Sequence, residues 1–100
     1  MTLQIREEAR LDLEAAARWY ASQAPGLGRQ FLSEVRDVFR RIEANPESYP
    51  ALHRGTRRAL IRRFPYGVIY FPLPDRGNVS ILAVLHCGRD PRLWLRRATP

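Results

Sequence analysis

His86 is the side chain of this sequence best suited to move a proton, because histidine is the residue type used for proton transfer near neutral pH and this one stands close to arginines in the sequence. Arg89 follows it by three residues, and Arg58 and Arg62 precede it on the same basic half of the chain. An arginine stays protonated, so these side chains can neutralise an anion but cannot act as bases. A single histidine at the end of a strand is more often a structural hydrogen-bonding group than a catalyst. The sequence therefore leaves both roles for His86 open.

The sequence does not indicate a metal site or a redox-active cysteine pair. His53 lies in a loop and has no partner at the spacing of metal ligands, and Cys87 is the only cysteine. We therefore predict no metal, no cofactor and no internal disulfide, with Cys87 as a small buried or half-buried residue. The apolar stretches are too short to cross a bilayer, and we expect a cytoplasmic protein that does not contact membranes.

The positive charge is concentrated in the second half of the chain. All 17 basic residues are arginine. Residues 1–50 hold seven arginines and eight acidic residues, a net charge of −1, whereas residues 51–100 hold ten arginines and two acidic residues, a net charge of +8. A polyanionic or acidic partner should therefore meet the second half.

The segment 89–97 interleaves arginines with one aromatic residue, Trp94, as nucleic-acid-binding segments often do. Its arginines are Arg89, Arg92, Arg96 and Arg97. A basic tail whose Trp94 folds back onto the sheet has the same composition. We expect Trp94 to pack and these arginines to be exposed, where phosphates or the acidic residues of a partner would satisfy them equally well.

Two helices and then three strands must position these residues. Apolar residues at helical spacing predict helices over about 7–23 and 27–44, and the sequence Ala24-Pro25-Gly26 between them predicts a helical hairpin. Trp19 and Tyr20 are neighbours on the first helix and point about 100° apart, so one of them can join the core while the other lies at its edge.

Strand patterns flank this hairpin. Leu3 and Ile5 indicate a short first strand, and later strands are predicted near 57–63, 66–72 and 79–86. Alternation would send Arg58 and Arg62 to one face of the first of these late strands. Pro91 could open a last helical turn. The whole chain, 1–100, is then one α+β domain of order β-α-α-β-β-β, with the hairpin packed on an antiparallel sheet.

An ordered series of short motifs resembles a known family. The series begins with Ala9-Arg10-Leu11-Asp12-Leu13, Trp19-Tyr20 and Leu27-Gly28-Arg29-Gln30-Phe31-Leu32; it continues with Asn45-Pro46, Tyr49-Pro50, Arg58, Phe64-Pro65-Tyr66 and Ile69-Tyr70; and it closes with Val84-Leu85-His86, Arg89, Pro91, Trp94 and Arg97. Nearly the whole chain resembles the RelE/ParE superfamily of bacterial type II toxins, most closely its ParE branch.

The resemblance implies a toxin that its antitoxin holds inactive in a hetero-oligomer, and that poisons DNA gyrase to block replication. The antitoxin would be ParD-like and would use an acidic segment that folds on binding. The residues expected to bind the antitoxin are Trp19, Tyr20, Arg58, Arg62 and Arg89. Those expected to bind the target are Arg89, Arg92, Trp94, Arg96 and Arg97.

Two other functions stay open. RelE-type members of the superfamily cleave mRNA on the ribosome, and the residues available here for that reaction are His86, Arg58, Arg62 and Arg89. Relatives that cut RNA tend to use Lys, Arg and a late Tyr or His, but this chain has no Lys and no Tyr after Tyr70, so the set is incomplete. The other alternative is a basic nucleic-acid-binding module with no toxic activity.

Overall fold

The structure, a computed structural model, describes residues 2–73, 77–89 and 97. Its elements follow the order β1, α1, α2, β2, β3, β4. The strands are β1 (Thr2–Ile5), β2 (Arg57–Leu60), β3 (Tyr66–Leu73) and β4 (Asn78–His86), and the helices are α1 (Glu7–Gln23) and α2 (Leu27–Ala44). Both helices have the predicted bounds, and the α+β class is confirmed. The predicted helical turn at Pro91 lies outside the described residues.

The two helices pack closely near their connection because the residues there are small. Gly26 lies between the helices, and Gly28 of α2 lies against Ala17 and Ala21 of α1. Gly26 takes a left-handed conformation with φ at 78°, which glycine adopts without strain. A Cβ on Gly28 would stand 2.7 Å from the carbonyl oxygen of Ala17 and 3.0 Å from the Cβ of Ala21. The two helices can therefore approach this closely only with glycine at position 28.

The four strands form one sheet in the order β1-β4-β3-β2. β2, β3 and β4 pair antiparallel as predicted, but β1 pairs parallel with β4, through Thr2 opposite Asn78 and Ile5 opposite Ile81. The predicted antiparallel sheet is thus confirmed for β2, β3 and β4, and β1 joins it as a parallel edge strand. Tight turns dictate an antiparallel direction, whereas β1 reaches β4 only after a long crossover that includes both helices, which allows a parallel pair.

β2 is shorter than predicted, since it ends at Leu60 rather than near residue 63. The backbone N–H of Ile61 donates to the carbonyl of Tyr66 at 2.9 Å, and Arg63 turns the chain with φ at 70°. This turn brings Phe64, which is 8% exposed, to the same core as Ile61. An extended strand would have sent these two side chains to opposite faces.

The sheet is apolar on both faces. One face packs on the helices and forms the main core with Ala9, Tyr20, Phe31, Val35 and Ile42. The outer face, which points away from the helices, carries a second cluster of Ile69, Phe71, Leu82 and Ala83. Leu82 and Ala83 both reach the outer face because Ile69 pairs with Ala83 and Tyr70 with Ile81, which leaves Leu82 in a β-bulge.

Tyr70 is fully buried between the sheet and the end of α2, and its hydroxyl donates to the carbonyl of Pro46 at 2.6 Å. Burial raises the pKa of Tyr70 to about 12. Because this value exceeds the ordinary one of about 10, the folded state favours the neutral phenol. Its contribution to stability is complete below about pH 10 and is lost as the pH rises towards 12.

We expect Tyr70→Phe to lower the free energy of unfolding by about 1–3 kcal/mol at neutral pH, because it leaves the Pro46 carbonyl without its partner. The variant should also lose less stability than the wild type between pH 10 and 12. Urea denaturation at a series of pH values measures both effects. An equally steep alkaline decline in the variant and the wild type would contradict the role of Tyr70.

Candidate functional site

A cleft opens between α1 and the ends of β3 and β4. Two adjoining cavities of about 240 and 360 Å³ form it, and Trp19, Tyr66 and His86 line both. Arg89 and Asp12 line the smaller cavity. We call this surface the aromatic cleft. Its described lining combines aromatic rings with the cation of Arg89, while the carboxylate of Asp12 is paired with Arg97, so the cleft can receive an apolar or planar group that carries a negative charge beside it.

The neighbours Trp19 and Tyr20 divide between the cleft and the core, as their spacing on the helix predicts. Tyr20 is 8% exposed and packs at 4.8 Å from Phe64 and 5.2 Å from Phe31, measured between ring centroids. Trp19 is 56% exposed and meets Tyr20 edge-on at 5.0 Å. Tyr20 therefore supports the cleft from the core side, and the exposed ring of Trp19 is the surface that a partner can contact.

Tyr66 and His86 come together because they are opposite each other in the β3–β4 register. Their rings meet edge-on at 5.3 Å. The backbone N–H of Cys87 donates to the carbonyl of Pro65 at 2.7 Å and ties the two strand ends together. Cys87 is exposed, so the expectation that it is buried is wrong; it follows the last strand residue, where the chain leaves the sheet.

A short turn after β4 orients the imidazole of His86. The backbone N–H of Gly88 donates to Nδ1 of His86 at 2.9 Å, and the N–H of Arg89 donates to the His86 carbonyl at 3.0 Å. A neutral imidazole whose Nδ1 accepts a hydrogen bond carries its proton on Nε2. In this arrangement Nε2 donates, so His86 would have to break the bond from Gly88 before Nε2 could act as a base.

Arg89 sets the electrostatics of the cleft. Burial raises the pKa of Tyr66, and the cation of Arg89 opposes that rise because it stabilises the phenolate. Arg89 itself is exposed. It is the cation that an acidic group entering the cleft would meet.

Asp12 is a site residue that the sequence reasoning missed. Its Oδ2 accepts from the backbone N–H of Val84 at 3.1 Å and from Nη1 of Arg97 at 2.6 Å. In the sequence, a single acidic residue at the edge of a helical apolar stripe is typical of an ordinary surface position. Only the packing of α1 on β4 shows which groups Asp12 binds. Tyr66 was missed as a cleft residue for a similar reason, although Pro65 before it marks the turn that places it.

Arg58 and Arg62 lie elsewhere, so the predicted cation set is divided. Arg58 pairs with Ile69 and faces the outer side of the sheet, where its Cγ and Cδ lie over Gly67. Arg62 lies in the turn after β2, so the predicted alternation of Arg58 and Arg62 along one strand is wrong. Neither residue lines the aromatic cleft.

Of the predicted target-binding residues in the C-terminal segment, the structure describes Arg89 and Arg97. Arg92, Trp94 and Arg96 lie outside the described residues. The structure contradicts the expectation that Arg97 is exposed, since its side chain is 23% exposed and pairs with Asp12. Its guanidinium is used inside the protein because β4 presents the carbonyl of Leu82 to it, beside the carboxylate of Asp12.

Within residues 2–73, 77–89 and 97, no group of three or more His, Cys, Asp or Glu side chains could hold a metal ion. In the same part of the chain no helix is long and apolar enough to cross a membrane.

Comparison with known proteins assigns the chain to a family. Residues 3–91 match the family described as the ParE toxin of the type II toxin–antitoxin system parDE. The chain belongs to the ParE toxin family. No curated protein sequence matches it significantly. A solved structure described as the chromosomal ParDE system from P. aeruginosa has a similar fold, with a TM-score of 0.61 at 18% identity over 86% of this chain and 95% of that one. The chain is thus a toxin of a type II toxin–antitoxin system, and Trp19, Tyr66 and His86 lie within the matched range.

Replacing Arg89 should raise the pKa of Tyr66 further. Arg89→Gln removes the cation that stabilises the phenolate and leaves the effect of burial unopposed. The pKa can be followed by NMR of the labelled Tyr66 ring as a function of pH. Arg62→Gln, which removes an exposed arginine away from the cleft, is the matched control and should leave the pKa of Tyr66 as it is. Equal pKa values of Tyr66 in the Arg89→Gln and Arg62→Gln variants would contradict the placement of Arg89 beside Tyr66.

Proposed function

We propose that this ParE-family toxin is neutralised by a cognate antitoxin whose acidic segment folds into the aromatic cleft, and that the free toxin poisons DNA gyrase. The observation that carries the first part is the 56% exposed Trp19 beside Tyr66, His86 and the cation of Arg89. Large exposed apolar surface is costly to leave in water and is typical of a surface that a partner covers, and a cation beside it can pair with an acidic group of that partner.

The chemistry of the cleft describes the segment that would fill it. An apolar or aromatic side chain would lie against Trp19 and Tyr66, and a carboxylate nearby would pair with Arg89. An amphipathic helix presents such side chains at spacings of three or four residues. The segment orders only on binding, so the free antitoxin is open to proteolysis and its loss leaves the toxin unneutralised.

Arg58 and Arg62 belong to a different part of the antitoxin surface. They are exposed on the outer face and in the turn after β2, so a partner would reach them only by wrapping around the β2 side of the sheet. Exposed ion pairs contribute at most about 1 kcal/mol each and act chiefly on the rate of association. We therefore assign the affinity to the cleft and the association rate to these arginines.

We expect Trp19→Ala to weaken antitoxin binding by at least about 2 kcal/mol, roughly 30-fold, because it removes the exposed ring at the centre of the cleft. Leu11→Ala is the matched control, since Leu11 is 52% exposed on the same helix and does not line the cleft. Calorimetric titration with the antitoxin measures both affinities. Tyr20→Ala is unsuitable for this test because Tyr20 packs in the core and its removal would destabilise the fold. Equal antitoxin affinity in the Trp19→Ala and Leu11→Ala variants would contradict the aromatic cleft as the binding surface.

Gyrase poisoning is supported by the family and by the distribution of the charged groups. Poisoning a gyrase–DNA intermediate is a binding event, which needs cations and no proton transfer. Cleavage of RNA needs a base, a cation and an acid around one phosphate. His86 and Arg89 share the cleft, but Arg58 faces the opposite side of the sheet, and the bond from Gly88 to Nδ1 opposes the use of His86 as a base.

Toxicity should therefore survive the loss of His86 and depend on the basic C-terminal residues. His86→Gln should keep most of its inhibition of growth and of gyrase supercoiling, because no proton transfer is lost. Changing Arg89, Arg92 and Arg96 together to Glu should abolish both activities, because the target would meet repelling charge. Circular dichroism of both variants establishes that the hairpin is folded.

The same assays distinguish the other functions. A general acid or base contributes about 10²–10⁴-fold to a rate, so a nuclease should fail in His86→Gln. A folded but inactive His86→Gln variant, together with a wild type that cleaves mRNA on ribosomes and leaves supercoiling untouched, would establish the nuclease. Binding of DNA without any inhibition of growth would indicate a simple nucleic-acid-binding module.

A further inference from the structure

β4 extends beyond the strand that covers its edge. β1 pairs with residues 78–81 of β4 and ends at Ile5, whereas β4 continues to His86. The backbone N–H of Arg6 still donates to the carbonyl of Ile81 at 3.0 Å. Beyond that point no strand of the described part of the chain (residues 2–73, 77–89 and 97) covers this edge of β4, and buried backbone groups without partners are costly.

Two side chains take the place of the missing strand. The carboxylate of Asp12 accepts from the N–H of Val84 at 3.1 Å, and Nη1 of Arg97 donates to the carbonyl of Leu82 at 3.3 Å. Arg97 and Asp12 also bind each other, through Nη1 to Oδ2 at 2.6 Å and Nη2 to Oδ1 at 3.4 Å. The Leu82 bulge and the end of β1 thus create the site that Arg97 fills.

The main chain of Arg97 is held as well. Its carbonyl accepts from Nη1 of Arg6 at 2.9 Å, while Nε of Arg6 donates to the hydroxyl of Ser80 at 3.2 Å. Residue 97 is therefore tied to α1 through Asp12, to β4 through Leu82, and to the start of the first helix through Arg6. We call Arg97 and Asp12, with the Leu82 carbonyl, the C-terminal clamp.

The clamp differs from the other ion pairs in its burial. Asp12 and Arg97 are 17% and 23% exposed at their side chains, whereas Arg10 and its partners Glu7 and Glu14 are 39–65% exposed. Exposed pairs contribute little, but breaking a largely buried pair leaves the remaining charge poorly solvated. Removal of Arg97 would leave the Asp12 carboxylate without its cation and the Leu82 carbonyl without this donor.

We infer that the C-terminal clamp fixes residue 97 against α1 and β4, and that Arg97 is a positioning residue rather than a residue that touches the target. Arg89 stands in the turn after β4 and Arg97 in the clamp, and residues 90–96 of the sequence join them. That stretch carries Arg92, Trp94 and Arg96. The inference rests on the proposed function in one respect, namely that these residues bind the target.

Four variants test the clamp. Arg97→Gln removes its charge, and Asp12→Asn removes the carboxylate while its amide oxygen can still accept from Val84. Arg97→Lys keeps the charge but lacks the planar guanidinium whose two nitrogens bind both oxygens of Asp12, and it should restore part of the function. Arg10→Gln is the matched control, because it breaks an exposed ion pair on the same helix.

The first measurement does not depend on toxicity. Hydrogen exchange followed by mass spectrometry should show roughly tenfold faster exchange of the C-terminal peptide in Arg97→Gln and Asp12→Asn, and a smaller change in Arg97→Lys. The double variant Asp12→Asn with Arg97→Gln should exchange no faster than either single variant, since one interaction is lost in all three. Exchange at the rate of Arg10→Gln in every variant would overturn the clamp.

The second measurement asks whether the clamp positions the target-binding residues. Arg97→Gln should reduce gyrase inhibition and growth arrest at least tenfold, Arg97→Lys should recover part of it, and antitoxin affinity should stay within about threefold of wild type because Arg97 does not line the cleft. Faster exchange with unchanged toxicity would overturn the positioning role. A wild type inert towards gyrase would overturn the proposed function instead, while the exchange data would still decide the clamp.

Discussion

The packing of Tyr20 against Phe31, Phe64 and Tyr66 is the interaction on which the rest of the structure depends. These rings lie 4.8–6.0 Å apart and come from both helices, from the turn after β2 and from β3. The cluster fixes the rotation of α1 about its axis. With Tyr20 directed inwards, Trp19 must face the solvent, and Tyr66 is held where its ring also borders the cleft. The functional surface is thus a direct consequence of core packing.

α1 serves two different surfaces because side chains on either side of its buried stripe of Ala9, Ala16 and Tyr20 face different neighbours. Near its C-terminal end, Trp19 opens the aromatic cleft. About two turns towards its N-terminus, Asp12 binds the edge of β4 beyond β1 and the side chain of Arg97. Both surfaces depend on the same contact of α1 with β4, so a change that tilts the helix would disturb the cleft and the clamp together.

The high positive charge is only partly available to a partner. Arg57 donates to the carbonyl of Tyr49 at 2.7 Å, and Arg97 pairs with Asp12. Arg58, Arg62 and Arg89 are exposed. Counting arginines in the second half therefore overestimates the cations that can meet an acidic antitoxin or DNA, because strand edges and loops use some of them to satisfy backbone carbonyls.

Local chemistry along the sequence determined the helices, the turn between them and the division of Trp19 and Tyr20 between surface and core, because helical periodicity and the Pro25-Gly26 break act within a few residues. The family resemblance was also readable from motifs in order. The tertiary structure alone decided the parallel β1–β4 pair, the early end of β2, the separation of Arg58 from His86 and the burial of Arg97. Each of these depends on contacts between residues far apart in the chain, such as Arg97 with Asp12, which no local pattern encodes.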